Sequence, residues 1–576
     1  MGGQTLVIGV LGLGSLGEGI ARALLAGGPR AEVVAVDRDP ALVRRVGRRL
    51  DGEALSLGTE LTDLKRADLV IESVSGDPEA KADVLRQLHA VCPPGTVFAT
   101  VSGSLPVEEL AIASGRPERV LGVRVSLPPP HGRNVELVST AVTSPEALAL
   151  ARQVVDRAGS EVVTLGEGAG EAATELVYGY LNQAVAMVEQ DYAPAEDIDT
   201  AMRFGCGLPY GPLHLLDLIG LDTVRDTLRT LHARTGNPGL APAPLLDRMV
   251  GDGTVGRKAG AGFYRYGDDG EIVPREQQAS TAAPFRDITR IGVVGSGTMA
   301  RGITEILARA GIETTLVARS EDKASAAFSA VDRSLGRAEQ RGRIGEMERI
   351  EALGCVNATD DYTELADCDL LIEAVAEELP VKRAVMGRLD TVAKPGAVLA
   401  SITSSLPVTA CAHATSRPGE VIGLHFFNPA PVMKLVEVVR TEDTSADVLA
   451  TAHALTRQLG KKAVNCTDRT GFIVNALLFP FLNEAILMLD RAEVTVEDID
   501  TAVTTAFGHP MGPFTLLDTV GLDVSLAIMQ RLQETAAEED GLVPAARLEQ
   551  LVGDGCLGRK TGSGFRAAEP RAAATA

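Results

Sequence analysis

The seven cysteines of this chain never come in pairs. Cys92, Cys206, Cys355, Cys368, Cys411, Cys466 and Cys556 are scattered, with no Cys-x-x-Cys spacing. That argues against a zinc site or a disulfide framework and for reduced thiols. Positive charge is short too: 55 Lys and Arg against 77 Asp and Glu leave a net charge of −22. Nucleic acid is therefore not an expected partner, since binding its backbone needs basic patches. A phosphorylated small molecule in a local basic pocket is still allowed. Long hydrophobic runs are missing as well. The chain is 45% apolar, but Gly, Pro or charge breaks each run before it reaches membrane-spanning length. The first apolar segment has no basic leader before it, so no signal peptide is expected and the expected location is cytoplasmic. At 576 residues the chain exceeds one hydrophobic core and calls for several domains.

What the chain has is a repeat. Ile8-Gly-Val-Leu-Gly-Leu-Gly-Ser-Leu-Gly17 is answered by Ile291-Gly-Val-Val-Gly-Ser-Gly-Thr-Met-Ala300. Gly207-Leu-Pro-Tyr-Gly-Pro212 is answered by Gly508-His-Pro-Met-Gly-Pro513, and Gly256-Arg-Lys-Ala-Gly260 by Gly558-Arg-Lys-Thr-Gly562. The offset is 301 residues at Pro209 and Pro510, but 283 at Gly12 and Gly295. The second copy has thus gained a net 18 residues early on; the charged, helix-forming stretch Ser334 to Ile350 reads as a helical hairpin. Each copy alternates strands and helices, then turns all-helical after Gly170 or Gly471. The expected fold class is α/β plus all-α: two Rossmann-type domains, each followed by a helical domain. The expected boundaries are 4–166 and 167–266, a linker over 267–287, then 288–467 and 468–566, with a frayed tail over 567–576.

A lone GxGxxG is a weak signal, but here both loops follow an apolar strand and open a helix. In that context Gly295, Gly297, Thr298, Met299 and Ala300 form a turn where backbone N–H groups can receive a pyrophosphate. In the first copy a tight turn without ligand is an equal reading. The end of the next strand reads the adenosine ribose. Copy one ends on Asp37, an NAD-type residue. Copy two has Ala318 there, followed by Arg319 and Ser320, which could hold a 2′-phosphate. That leans modestly towards NADP over NAD, tempered by Glu321 and Asp322; the plainer alternative has Arg319 only stacking on adenine.

The stretch from Ile422 to Val439 reads as strand, proline-rich turn, strand, with His425 and Glu437 able to face each other. A carboxylate that fixes a histidine tautomer makes it a proton acceptor near neutral pH. Alone, such a pair reads more readily as a core histidine beside a surface glutamate. The whole stretch, however, resembles the active-site segment of the 3-hydroxyacyl-CoA dehydrogenase family. The resemblance implies that His425 is the catalytic base, Glu437 its orienting partner and Asn428 an active-site residue. It also implies active-site roles for Ser404 and Asn475, cofactor contacts for Glu377, Lys382 and Lys560, and CoA contacts for Ser334 and Arg341, the last replacing a lysine.

Subtracting 301 from the site residues turns His425 into Arg124, Asn428 into Leu127, Ser404 into Gly103, Asn475 into Thr174 and Glu377 into Gly76. Only Glu136 and Lys81 survive, with Lys258 answering Lys560 at an offset of 302. A guanidinium stays protonated and cannot act as a base. His131 is a weak substitute, because it precedes Glu136 by only five residues. The first copy is expected to be a non-catalytic partner. The resemblance implies dimers through the helical domains, so a duplicated chain can form an intrachain pseudo-dimer. Helices at Leu176–Val188 and Ile473–Leu489 are its candidate surfaces, and a further homo-oligomer stays open. The expected reaction is reversible, NAD(P)-dependent interconversion of 3-hydroxyacyl and 3-oxoacyl thioesters of CoA. Two alternatives are an NADPH-dependent ketoreductase acting on a carrier-protein-bound acyl group, and a dinucleotide-binding protein without turnover.

Overall fold

In a computed structural model the described residues are all except 1–4, 28–30, 51, 53, 75–77, 102–106, 126–133, 164, 166–167, 268, 275–283, 493, 536–541 and 567–576. The first copy builds an eight-stranded sheet. Its strands are β1 (Leu6–Leu11), β2 (Ala31–Val36), β3 (Leu55–Gly58), β4 (Leu69–Glu72), β5 (Val97–Val101), β6 (Val120–Arg124), β7 (Asn134–Val138) and β8 (Glu161–Val163). The second copy repeats it with β9 (Arg290–Val294), β10 (Glu313–Val317), β11 (Val356–Thr359), β12 (Leu370–Glu373), β13 (Val398–Ser401), β14 (Val421–Phe426), β15 (Leu435–Arg440) and β16 (Lys462–Thr467). Both sheets run in the order 3-2-1-4-5-6-7-8. All neighbours are parallel except β6/β7 and β14/β15. The apolar strands are buried on both faces, as parallel strands covered by helices must be. The strand order reverses beside β1 and β9, which opens a crevice at their carboxyl ends over the glycine loops.

The gained residues do form a hairpin, but it starts earlier than its sequence suggests. Where the first copy has one short helix, Pro40–Arg49, the second has a long helix, Glu321–Gln340, and a return helix, Glu346–Gly354. Val331, Leu335, Ile344 and Ala352 close a small core of their own against Ala308.

The repeated Gly-Pro motifs serve the helical domains. Asp199 accepts hydrogen bonds from Leu213 N and His214 N at 2.8 and 2.9 Å, and its twin Asp500 accepts from Phe514 N and Thr515 N at 2.8 and 3.0 Å. A Cβ on Gly211 or Gly512 would collide with that carboxylate, so only glycine fits. The motif is therefore a structural staple of helix N-termini.

The two helical domains share one core. Leu176, Leu181 and Val185 of the first helix (Ala169–Glu189) are buried in the same cluster as Leu477, Leu482 and Ile486 of its twin (Val474–Arg491). Tyr180 meets Phe481 edge to face at 5.7 Å, and Gln183 Nε2 donates to Ala476 O at 3.1 Å. The contact is also reciprocal across the sheets. Helix Ala195–Cys206 packs on β15 and β16, where Asn465 donates to Asp197 at 3.3 Å. Helix Val496–Phe507 packs on β7, where Asn134 donates to Thr505 O at 2.6 Å. Among the described residues no helix is long and apolar enough to cross a membrane.

Candidate active site

Strands β14 and β15 place His425 directly opposite Glu437 in antiparallel register. His425 Nδ1 lies 2.6 Å from Glu437 Oε2, with the imidazole nearly buried and the carboxylate fully so. Glu437 Oε1 accepts from Ile473 N and Val474 N at 3.0 and 2.9 Å. Those two N–H groups open helix Val474–Arg491, so a remote carboxylate caps it. A carboxylate accepts, so with Glu437 as its partner Nδ1 is the donor and Nε2 is left to the cavity. Phe427 and Phe472 flank the imidazole, with centroids 4.5 and 5.5 Å away. Phe472 has a left-handed backbone (φ 49°), and its carbonyl accepts from the hydroxyl of Tyr192, a residue of the first copy.

The dyad faces a cavity of about 1360 Å³ that also holds Ser404, Asn428 and Asn475. Asn475 Nδ2 donates to Ser404 O at 3.3 Å. Glu377 accepts from Thr403 Oγ1 at 2.6 Å and from Ser404 N and Oγ at 2.8 and 3.2 Å. Burial works against its charge, but Lys382 and these donors outweigh burial and hold the carboxyl below its ordinary range. Burial pushes His509, also in the cavity wall, down to about 4, so it adds no positive charge near neutrality.

Two expected cofactor contacts stand differently. Lys382 is fully buried beneath Glu377, at 3.1 Å, and binds Glu373 at 3.0 and 3.1 Å. It anchors Glu377 from below, because a buried ammonium must be neutralised on the spot. Sequence reading missed Glu373, although a signal existed: a strand-ending Glu with a Lys nine residues on occurs in both copies. Glu72 and Lys81 make the same pair at 3.0 Å. Lys560 is exposed, pairs with Asp523 and stands outside the cavity wall.

Gly295, Gly297, Thr298 and Met299 line the cavity, and Ala300 is buried behind them. A Cβ on Gly295 (φ 142°) would strike Ala374 O, whereas one on Gly297 would meet nothing and point into open space. A cradle of this shape, at the start of helix Thr298–Arg309, fits a pyrophosphate. Arg319 is exposed on the cavity rim, and Ala318 is buried. Ser320 caps helix Glu321–Gln340, accepting from Lys323 N at 3.4 Å. Ser334 and Arg341 line an adjoining cleft of about 640 Å³ with Arg301, Arg309, Arg337 and Arg343. The two spaces share Thr298, Asn428 and Val432.

In the first copy β6 and β7 keep the register, but Arg124 pairs with Glu136 at 2.6 Å where the imidazole would be. Asp37 is occupied by Leu13 N at 2.7 Å and Asp39 N at 2.9 Å. Arg45 ties the glycine loop to the helical domain, reaching Leu13 O at 3.4 Å and Lys258 O at 2.5 Å. Thr174 turns back on Gly170 O at 2.8 Å. Gly76, Gly103, Leu127, His131 and the tail 567–576 lie outside the described residues, as do positions 268 and 275–283 of the expected linker.

A family model described as the 3-hydroxyacyl-CoA dehydrogenase NAD binding domain matches residues 7–168 and again 290–469. The C-terminal domain of the same family matches 172–266 and 471–568. A 3-hydroxybutyryl-CoA dehydrogenase of Mycobacterium tuberculosis is 46% identical over 280 residues, 48% of this chain and 98% of its own. The human mitochondrial hydroxyacyl-coenzyme A dehydrogenase is 38% identical over 299 residues, 51% of this chain and 95% of its own. The crystal structure of an Escherichia coli 3-hydroxybutyryl-CoA dehydrogenase superposes over 96% of this chain and 99% of its own, with a TM-score of 0.55 and 22% identity, a likeness of fold.

Proposed function

This chain belongs to the 3-hydroxyacyl-CoA dehydrogenase family, and we propose that its second copy alone interconverts 3-hydroxyacyl-CoA and 3-oxoacyl-CoA. In this reading the working unit is residues 288–566, and residues 4–266 are its non-catalytic partner. The observation that carries it is the His425–Glu437 pair, held by two backbone donors in the cavity that contains the glycine loop. A bound nicotinamide supplies the hydride acceptor, or donor, for C3.

The chain's own residues do the rest. In oxidation Nε2 of His425 takes the 3-hydroxyl proton, and Glu437 offsets the imidazolium charge. In reduction the imidazolium returns that proton to the developing alkoxide. General acid–base help of this kind is worth about 10²–10⁴ in rate. Ser404 and Asn475, whose Nδ2 donates to the Ser404 carbonyl, orient the substrate oxygens, and Asn428 orders the mouth of the site. The remaining acceleration comes from holding C3 in reacting geometry. The arginine-lined cleft with Ser334 and Arg341 suits a CoA nucleotide, since guanidinium groups pair well with phosphates. The relatives named above are CoA dehydrogenases, which favours CoA over a carrier protein.

Arg319, exposed on the rim beside a missing acidic residue, favours NADP. A panel of 3-oxoacyl-CoA thioesters of rising chain length, run with NADH and with NADPH, tests both points. Turnover with CoA thioesters and a preference for NADPH are expected. No absorbance change with any thioester would overturn the enzymatic reading, and a strong preference for NADH would overturn the role given to Arg319.

A further inference from the structure

The cavity that contains the catalytic dyad is not walled by the second copy alone. Tyr180 and the stretch Met202 to Leu208, all from the first copy, form part of its lining. The stretch is the end of helix Ala195–Cys206, which stops at Gly207 in a left-handed turn (φ 72°). Its fit against the second copy is close. A Cβ on Gly205 would lie 2.9 Å from Val474 and 3.0 Å from Leu435, and one on Gly207 would lie 3.5 Å from Pro510. Val474 immediately precedes Asn475 and donates to Glu437, so the first copy abuts the residues that hold the site.

The chemistry of the lining changes from end to end. Arginines line the adjoining cleft, which meets the cavity at Thr298, Asn428 and Val432. A substrate whose nucleotide lies there has its thioester near Asn428 and C3 at His425. The chain beyond C3 must then continue into what is left. Most of that remainder is apolar, with Leu478 and Phe481 from the second copy and Phe204, Cys206 and Leu208 from the first, beside Arg203 and His509. The matching residues of the second copy are Thr505, Phe507 and His509. A symmetric dimer must present one and the same segment to both of its sites, whereas a duplicated chain can alter only the segment that faces the working site.

We infer that the first copy forms the acyl end of the second copy's substrate cavity, and that Phe204 and Leu208 set the chain length it accepts. The inference rests on the reading of the site as a 3-hydroxyacyl-CoA dehydrogenase. Its test is kcat/KM of the full-length protein for four-, eight- and twelve-carbon 3-oxoacyl-CoA, in wild type, Phe204→Ala, Leu208→Ala and Leu208→Phe. One methylene in an apolar pocket is worth about 10–200-fold in discrimination. The two alanine variants should raise the twelve- to four-carbon ratio by about tenfold or more, and Leu208→Phe should lower it by a similar factor. Four-carbon turnover should change less than the ratio does. A ratio that stays constant while the wild type is active overturns this inference and leaves the catalytic reading standing. A wild type inactive on every thioester overturns both. If Phe204→Ala loses its cooperative melt, the two opposed Leu208 variants decide the matter.

Discussion

The two copies have the same sheet order, the same antiparallel hairpin and the same buried Glu–Lys pair, yet differ at the residue opposite the orienting glutamate. In the second copy that residue is His425, whose free nitrogen can exchange a proton. In the first it is Arg124, locked to Glu136 at 2.6 Å, a guanidinium that donates and has no acceptor atom. The glycine loops differ in the same sense. The second opens onto the large cavity. The first is tied down by Asp37 and by Arg45, which reaches across to the helical domain. What the first copy keeps is the sheet order and its half of the shared helical core. The comparison teaches that packing and chemistry are separable in this fold: the first copy has an Arg–Glu pair where the second has His–Glu, yet it still lines its neighbour's cavity.

The largest expected effect comes from making the working copy resemble the idle one at its base. His425→Gln should lower kcat by about 10²–10⁴, and the dinucleotide should still bind. Fluorescence titration of bound NAD(P)H checks the second half; loss of cofactor binding along with turnover would point to a folding role instead. Next is removal of the first copy. Deleting residues 1–266 strips the Val474–Arg491 helix of its partner and exposes a large apolar face. Size-exclusion chromatography should show a homodimer or aggregate, and a stable, fully active monomer would break the comparison.

Smaller effects refine it. Tyr192→Phe removes the hydroxyl that the first copy lends to Phe472 O, leaving a buried acceptor unpaired at a cost of about 1–3 kcal/mol. Because Phe472 packs on His425 and precedes the two donors to Glu437, kcat should fall about three- to tenfold, with KM nearly constant. A fall in melting temperature with kcat unchanged would show Tyr192 to be structural only. Ala318→Asp gives the second copy the residue that stands at the same strand end in the first, Asp37. It should shift the ratio of kcat/KM for NADH over NADPH by about tenfold towards NADH, through lost phosphate tolerance.

Much of this was legible in the sequence because it is local. The strand–turn–strand around His425 and Glu437, the glycine loops and the hairpin insertion all follow from spacing within some tens of residues. The contribution of the first copy was not. Tyr192 and Phe472 are 280 residues apart in the chain, and the partners of Gly205 are just as remote. No periodicity reports such a contact. The burial of Lys382 was equally hidden, since a lysine at the start of a helix reads as exposed until its carboxylate partner is found underneath. The repeated Gly-Pro motifs were visible as a repeat, but the aspartates that demand them stand a dozen residues upstream.

The central claim is that chemistry lives in one copy, and the paired rates of matched variants test it most directly. Steady-state kcat of Arg124→Ala and Glu136→Gln should remain within about twofold of wild type, since neither touches the working dyad, against the loss of about 10²–10⁴ for His425→Gln. If Arg124→Ala lowers kcat as far as His425→Gln does, the first copy holds working chemistry and the account is wrong.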